Sequence, residues 1–309
     1  MNGENASSDV TATAARWLSG RKAVIGIPYL WLIIFFLVPF FIVFKISLSE
    51  TAIQMPPYNP VFDGTDTADK LKSLSFSNYV WLTEDPLYYR AYLSSIFIAA
   101  ASTFLTLLVA YPLAYGMARA PLTLRPTLLM LVILPFWTSF LIRVYSWINI
   151  LQRDGLLNDA LVRLGIISEP TTWLASDTAV YIGIVYSYLP FMVLPLYATL
   201  QKLDDTLLEA AADLGCPRWK AFFLVTLPLA LPGLAAGALL CFIPIVGEFV
   251  IPDLLGGSQT AMIGQTLWTE FFANKDWPVA SAIAVVLLLV IVAPIAFFES
   301  LQAREIERR

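Results

Sequence analysis

Six stretches of the chain are almost purely apolar, and shorter polar stretches separate them: residues 24–45, 91–116, 126–149, 180–200, 229–251 and 278–298. Each comes to roughly the twenty residues with which a helix crosses about 30 Å of hydrocarbon. The pattern predicts an all-α membrane protein of six transmembrane helices, and an even number of spans puts both termini on one side. The short run 117–125 joins the second and third spans, whereas 46–90 and 150–179 form long links. The expected organisation is a tail over 1–23, a membrane domain over 24–298 containing the large link 46–90 and a polar segment at 203–226, and a second tail over 299–309. The first apolar run follows Arg21 and Lys22 and continues without a small-residue cleavage pattern, which reads as a retained helix and not a cleaved signal.

Composition agrees with a membrane setting. Hydrophobic residues make up 58% of the 309 and charged residues 14%, with a mean hydropathy of +0.72. Twenty prolines and fifteen glycines fit this setting, because neighbouring helices can satisfy backbone groups freed within a span. Eleven of the nineteen basic residues fall on one face: Arg16, Arg21 and Lys22, then Arg119 and Arg125, then Lys202, Arg218 and Lys220, then Arg304, Arg308 and Arg309. Basic residues near helix ends orient a membrane protein, so both termini are expected to be cytoplasmic and the links 46–90 and 150–179 external. Glu50, Asp63, Asp66, Asp69, Glu84 and Asp85 make the first link acidic, either a solvated loop or a vestibule that concentrates a cationic solute. Its MPPYNP reads as a rigid extended or turn element. Trp81, Trp147, Trp173, Trp268 and Trp277 fall where interfacial anchors are expected.

One polar stretch interrupts the apolar pattern, DDTLLEAAADLGCPRWKAFFLVTLPLALPG, residues 204–233. Asp205, Glu209 and Asp213 recur at intervals of four and form a line of like charge on a helix. Leu207, Leu208, Ala211 and Leu214 give a second, apolar face, and Gly215 is suited to end the helix. Pro217 can open a second short helix bearing Trp219, Phe222, Phe223 and Val225. On spacing alone this pair reads either as a connector lying on the bundle or as a docking knob for a soluble partner.

The residues Glu209, Ala210 and Ala211, then Gly215, then Val225, Leu227 and Pro228, resemble the EAA signature of the membrane subunits of ATP-binding-cassette importers. Val225 stands where isoleucine is commoner in that signature. The resemblance implies a type I importer permease bundle whose short helices sit in a cleft of an ATPase subunit. It makes Asp205 and Asp213, with the signature residues, the expected ATPase-coupling set.

Polar residues inside the apolar runs are expensive and point to function by default. Glu248 lies in the fifth run, and Pro244, Gly247 and Pro252 around it loosen helix geometry. It reads as a paired residue joining two helices, as a contact for a positively charged solute, or as an interfacial group. Arg143 in the third run could neutralise Glu248 or snorkel to head groups. Tyr186, Tyr188 and Phe249 are candidate walls of a path or gate, while Asn149 and Gln152 suit structural hydrogen bonding.

Residues 134–147, 209–233 and 247–257 together resemble the permeases of spermidine/putrescine importers, a likeness covering most of the chain from first span to sixth. It implies a bacterial inner-membrane assembly with a second homologous permease subunit, two ATP-binding subunits, a periplasmic solute-binding protein and a polyamine substrate, all in contact with membrane lipid. Permeases for other small organic solutes share several of these runs. The chain itself shows no Gly-rich loop with Lys-Ser/Thr for phosphates, so ATP is expected to be hydrolysed elsewhere. Cys216 and Cys241 form no CxxC pair and His is absent, which argues against a metal site, a disulfide or a bound cofactor. No basic aromatic tract suggests nucleic acid. A secondary transporter would need buried charges on several helices and inverted repeats, which the sequence does not display.

Overall fold

The computed structural model describes residues 24–61, 67–257 and 260–307. The expected tail 1–23, with Arg16, Arg21 and Lys22, lies outside these residues, as do Asp63, Asp66, Arg308 and Arg309. The chain divides into two compact units, one ending at Val80 and taking in Asp276–Val285, the other containing Trp81–Lys275 and the chain from Val286 onward.

In the first unit, α1 (Val24–Ser47) is long and apolar enough to span, and its residues from Val24 to Ile42 are exposed apart from the part-buried Phe40. A small antiparallel hairpin follows, β1 (Glu50–Thr51) with β2 (Tyr58–Asn59), in the register Glu50 to Asn59 and Thr51 to Tyr58. Met55, Pro56 and Pro57 of the MPPYNP element lie in its turn, and Tyr58 and Asn59 form β2. Two short helices follow, α2 (Thr67–Lys72) and α3 (Ser77–Glu84). Asn78 Nδ2 donates to the carbonyls of Ser47 and Ser49, 2.8 Å each, which caps the end of α1. Tyr79 Oη and Ser47 Oγ lie 2.6 Å apart. Burial pushes the Tyr79 phenol upward in pKa, and the Ser47 bond opposes the shift. Thr51 Oγ1 donates to Asp276 at 2.7 Å, and the same carboxylate accepts from the Val279 amide.

The second unit is built on three helices, α4 (Pro86–Arg119), α8 (Asp177–Leu200) and the long helix α10 (Arg218–Val246). Asp85 starts α4, accepting from the Leu87 amide at 2.8 Å with Pro86 at the first helical position. The buried face of α4 is a stripe of small side chains, Ala91, Ser95, Ala99, Ser102, Thr106, Ala110 and Ala114. Such stripes let helix backbones approach closely where lipid gives no hydrophobic drive for association. Gly233 and Gly237 do the same for α10 against α8. A Cβ on Gly233 would lie 2.7 Å from the Pro195 carbonyl and closer still to Thr199 Oγ1, and one on Gly237 would lie 2.8 Å from Met192 Sδ.

Three expectations need correction. The third span is not one helix over 126–149: α5 (Arg125–Ile133, tightening into a 3-10 turn through Trp137) and α6 (Phe140–Leu151) meet at 90°. Pro135 lies at this tightening, and Thr138 and Ser139 are extended, so the ladder stops there. The second helix of the polar segment is not separate, because Arg218–Ala221 runs through a π turn (Phe222–Thr226) directly into the fifth span. The π register falls just ahead of Pro228, whose ring clashes with a regular i−4 carbonyl. The fifth span ends at Val246, five residues before the expected 251, and a short α11 (Val250–Leu255) follows the break. Between α6 and α8 lies α7 (Leu156–Arg163), and between α8 and α10 lies α9 (Thr206–Asp213). After α11 come α12 (Ile263–Trp268), extended by a π turn over Thr269–Ala273, and α13 (Trp277–Glu307), so the expected tail from 299 is helical as far as 307. Among the described residues five helices meet the length and hydropathy of a span, and six do if the bent α5–α6 pair counts as one.

Gly233→Leu should therefore force α8 and α10 apart and lower the thermal midpoint of the purified protein by the equivalent of about 1–3 kcal/mol. Gly116→Leu on α4, where nothing lies within 4 Å of an added Cβ, should leave the midpoint within experimental error of wild type.

Candidate functional site

Two places gather the polar residues singled out in the sequence, and they stand at the two ends of α10. At its beginning is the elbow formed by α9 and the first turns of α10. Asp204 opens it, its Oδ1 accepting from the Thr206 amide at 3.0 Å, and this backbone bond holds the exposed carboxyl below its ordinary range. At the other end of α9 the Gly215 amide bonds to the Ala212 carbonyl at 2.9 Å and the Cys216 amide to the Ala211 carbonyl at 3.0 Å. These are the two bonds of a Schellman ending, and Gly215 supplies its left-handed residue at φ 75°. Nothing lies within 4 Å of a Cβ built on Gly215. Its requirement is conformational within this chain.

The line of acids is partly answered: Asp205 forms an ion pair with Arg119 at the end of α4. That pair fixes the elbow to the same end of the bundle as the α4 terminus. Glu209 and Asp213 remain exposed, as does Ala210, while Ala211 is half-buried. Leu214 is 88% exposed and Trp219 64%, with Leu207, Phe223 and Leu224 also exposed. Val225 and Leu227 are half-buried and Pro228 exposed. Beside the Arg119–Asp205 pair lies an open recess of about 520 Å³ lined by Tyr115, Leu208, Glu209 and Phe222 among others. The arrangement is a rigid, amphipathic protrusion with apolar side chains that no part of the described chain covers.

At the far end of α10 the helix stops at Gly247. Glu248 is 8% exposed. Its Oε1 accepts from the amides of Val250 at 3.0 Å and Ile251 at 3.4 Å, capping α11, and its Oε2 accepts from the Tyr188 phenol at 2.6 Å. Cys241 Sγ lies 3.5 Å from the Tyr188 carbonyl, further back along α10. Of the readings left open for Glu248, this geometry corresponds to a paired residue joining helices. Gly264 makes the break compact, because a Cβ there would lie 2.7 Å from the Glu248 carbonyl oxygen.

Arg143 does not meet Glu248. Its Nη1 donates to the Pro135 carbonyl at 2.7 Å, and its guanidinium lies over Phe136 at 4.9 Å and Phe140 at 5.7 Å, while its Nε is buried without an acceptor. The cation thus holds the inside of the α5–α6 bend. Tyr186 packs edge-on against Trp147, centroids 5.3 Å apart, and Phe249 stacks on Trp268 at 4.6 Å and 11°. Trp147 and Trp173 are both part-buried, and Trp173 Nε1 donates to Asn158 Oδ1 at 2.9 Å. Asn149 takes the structural part expected of it, its Nδ2 reaching the Tyr145 carbonyl, while Gln152 contributes its backbone carbonyl to Asn158.

Two polar centres escape a reading of the sequence. Asn158, 1% exposed, bonds through its amide to the carbonyls of Arg153 and Thr171 and through its oxygen to the Thr171 amide and Trp173, which knots the 150–176 link. Glu270, 8% exposed, accepts from Tyr88 at 3.0 Å and Asn274 at 2.9 Å. A lone acid among aromatic residues, as in TLWTEFFAN, was the one available signal for Glu270.

A spanning bundle with an exposed, glycine-ended elbow before its fifth span is the architecture of an importer permease. A family model for the "binding-protein-dependent transport system inner membrane component" matches residues 22–302, and the chain belongs to that family. It is a multi-pass inner-membrane transport component and not an enzyme; in such importers ATP is hydrolysed by separate subunits. The chain is 39% identical over 265 residues to the spermidine/putrescine transport system permease protein PotB of Haemophilus influenzae, covering 86% of this chain and 88% of that one. It is 42% identical over 216 residues to PotB of Escherichia coli K12, covering 70% and 78%. Among solved structures, a chain of the bacterial ABC transporter involved in import of the acidic polysaccharide alginate superposes with a TM-score of 0.69 at 16% identity, covering 96% of this chain and 99% of that one. A chain of the MetNI methionine ABC transporter gives 0.52 at 18% identity, covering 70% and 94%. These two likenesses show the type I importer permease fold.

The Tyr188–Glu248 bond makes a measurable claim. Tyr188→Phe should lower stability by about 1–3 kcal/mol, because a buried carboxylate loses a donor. In a double-mutant cycle with Glu248→Gln the two effects should couple by at least about 0.5 kcal/mol. Strictly additive losses in thermal midpoint would show that the two side chains act independently.

Proposed function

We propose that this chain is the permease subunit through which an ATP-driven importer moves a small organic cation, putrescine or spermidine, across the bacterial cytoplasmic membrane, with both termini cytoplasmic. The observation that carries the import mechanism is the elbow: a short helix ended rigidly by Gly215, with Leu214 and Trp219 outward and uncovered. A soluble partner with an apolar cleft fits this protrusion, and large exposed apolar side chains are what such a contact uses for affinity. On this reading the partner is an ATP-binding subunit, two per assembly, and Asp205, Glu209, Ala210, Ala211, Asp213, Gly215, Val225, Leu227 and Pro228 form the coupling surface and its support. A second homologous permease and a periplasmic solute-binding protein complete the transporter.

The polyamine assignment rests on the similarity to the two PotB permeases. Its chemistry is consistent with the chain: separated ammonium groups crossing a low-dielectric region need acceptors and aromatic faces in place of water. Closure of the ATP-binding subunits moves α9, and α10 carries that movement into the membrane.

Uptake of labelled putrescine and spermidine by cells carrying the complete transporter, with and without this chain, tests the substrate. Uptake that does not depend on the chain would overturn the polyamine reading while leaving the importer fold intact. Gly215→Asp tests the elbow. The left-handed φ of Gly215 strains any side chain placed there, so the variant disturbs the ending of α9 and with it the surface offered to the partner; membrane levels should match wild type, and transport-coupled ATP hydrolysis should be lost. Normal coupled hydrolysis in the reconstituted complex would remove the elbow from the mechanism.

A further inference from the structure

Glu248 and Tyr188 satisfy each other, which leaves open where an ammonium group would be received. The segment that follows the break offers an answer. Residues 247–257 and 260–273 form two arms, α11 and α12 with its π turn, drawn together where Gly264 packs on the carbonyls of Gly247 and Glu248. On the first arm Phe249 and Asp253 stand one turn apart, linked by the Asp253 amide to Phe249 carbonyl bond. On the second, Gln265, Trp268 and Phe272 follow at helical spacing.

The two arms meet through these side chains. Phe249 stacks on Trp268 at 4.6 Å, Trp268 contacts Phe272 at 4.1 Å, and Gln265 Nε2 donates to Asp253 Oδ1 at 3.1 Å. The result is one continuous surface with a carboxylate at one edge and a run of three rings beside it. Trp268 is 45% exposed, Phe272 54%, and Asp253 is exposed. Asp253 spends one oxygen on a neutral amide and has no cationic partner among the described residues. A purely lipid-facing surface would not carry an ionised carboxylate, and a purely packing surface would not leave ring faces open.

We propose that Asp253, Phe249, Trp268 and Phe272 form a receiving face for a linear alkylammonium ion. The carboxylate takes one primary ammonium group, and the rings take the methylene chain and the next cationic nitrogen through their faces. The proposal rests on the polyamine-import reading and names the specificity-determining surface within it. Glu248, Tyr188 and Glu270 act behind this face as positioning residues that hold the two arms.

The test uses the complete reconstituted transporter with its solute-binding protein, labelled putrescine and spermidine as probes, and the variants Asp253→Asn, Trp268→Leu and Trp268→Tyr. Asp253→Asn and Trp268→Leu should each lower polyamine delivered per ATP hydrolysed by about tenfold, the scale of one desolvated cation–π or charged contact. Trp268→Tyr, which keeps a ring face, should restore most of the loss. Wild-type levels of transport per ATP in both loss variants would overturn the receiving face alone. Failure of Trp268→Tyr to rescue, or loss of the second permease from the purified complex in Asp253→Asn, would overturn it in favour of a subunit interface. Absence of polyamine transport by the wild-type complex would instead refute the substrate reading on which the face depends.

Discussion

A helix that breaks inside hydrocarbon leaves amide groups that lipid cannot satisfy, each at a cost of several kcal/mol. Glu248 meets that cost for the break after α10. One carboxylate oxygen takes the first amides of α11, and the other takes the Tyr188 phenol from α8. The chain turns there, α11 and α12 return alongside, and Gly264 can press against the carbonyls of the break. The buried acid that first looks like a ligand for solute is the group that caps the irregular backbone between α10 and α11.

The elbow solves the same problem of ending a helix by different means. Gly215 closes α9 with backbone bonds alone, as an exposed helix can. Between the two endings α10 runs unbroken over 29 residues, a rod of about 43 Å at the usual rise. On the proposed reading, a displacement imposed at α9 reaches the Glu248 break through this one helix, which packs against α8 at Gly233 and Gly237. At Phe222–Thr226 the hydrogen bonds of the rod depart from the regular ladder into a π turn.

The number of spans and the elbow were legible because both are written in composition and spacing. Apolar runs of twenty residues have few structural meanings, and Glu209 to Gly215 carries its own start, faces and stop. The breaks were not legible to the same degree. Pro112, Pro190, Pro195 and Pro232 lie inside continuous helices, whereas Pro135 accompanies a right-angled bend. At the bend the Pro135 carbonyl accepts from Thr138 and from Arg143, eight residues on, a partnership that no local pattern records. Asn158 and Glu270 were missed for a related reason: each is an ordinary polar letter until burial makes its hydrogen bonds obligatory.

Arg143 completes the physical picture. A guanidinium open to the route would repel a cationic solute, and pairing it with Glu248 would have joined the two groups across the second unit. The structure instead turns it back on its own bend, against the Pro135 carbonyl and the rings of Phe136 and Phe140. Carbonyl and ring faces attract the cation without supplying a full negative charge, so Glu248 stays available to hold α11 and Tyr188. The separation of these charges lets two helix breaks be stabilised independently, one by an arginine on a carbonyl and one by a carboxylate on amides. On the proposed reading, that independence keeps fixed positive charge out of the face formed by Asp253, Trp268 and Phe272, where an incoming ammonium group needs a negative one.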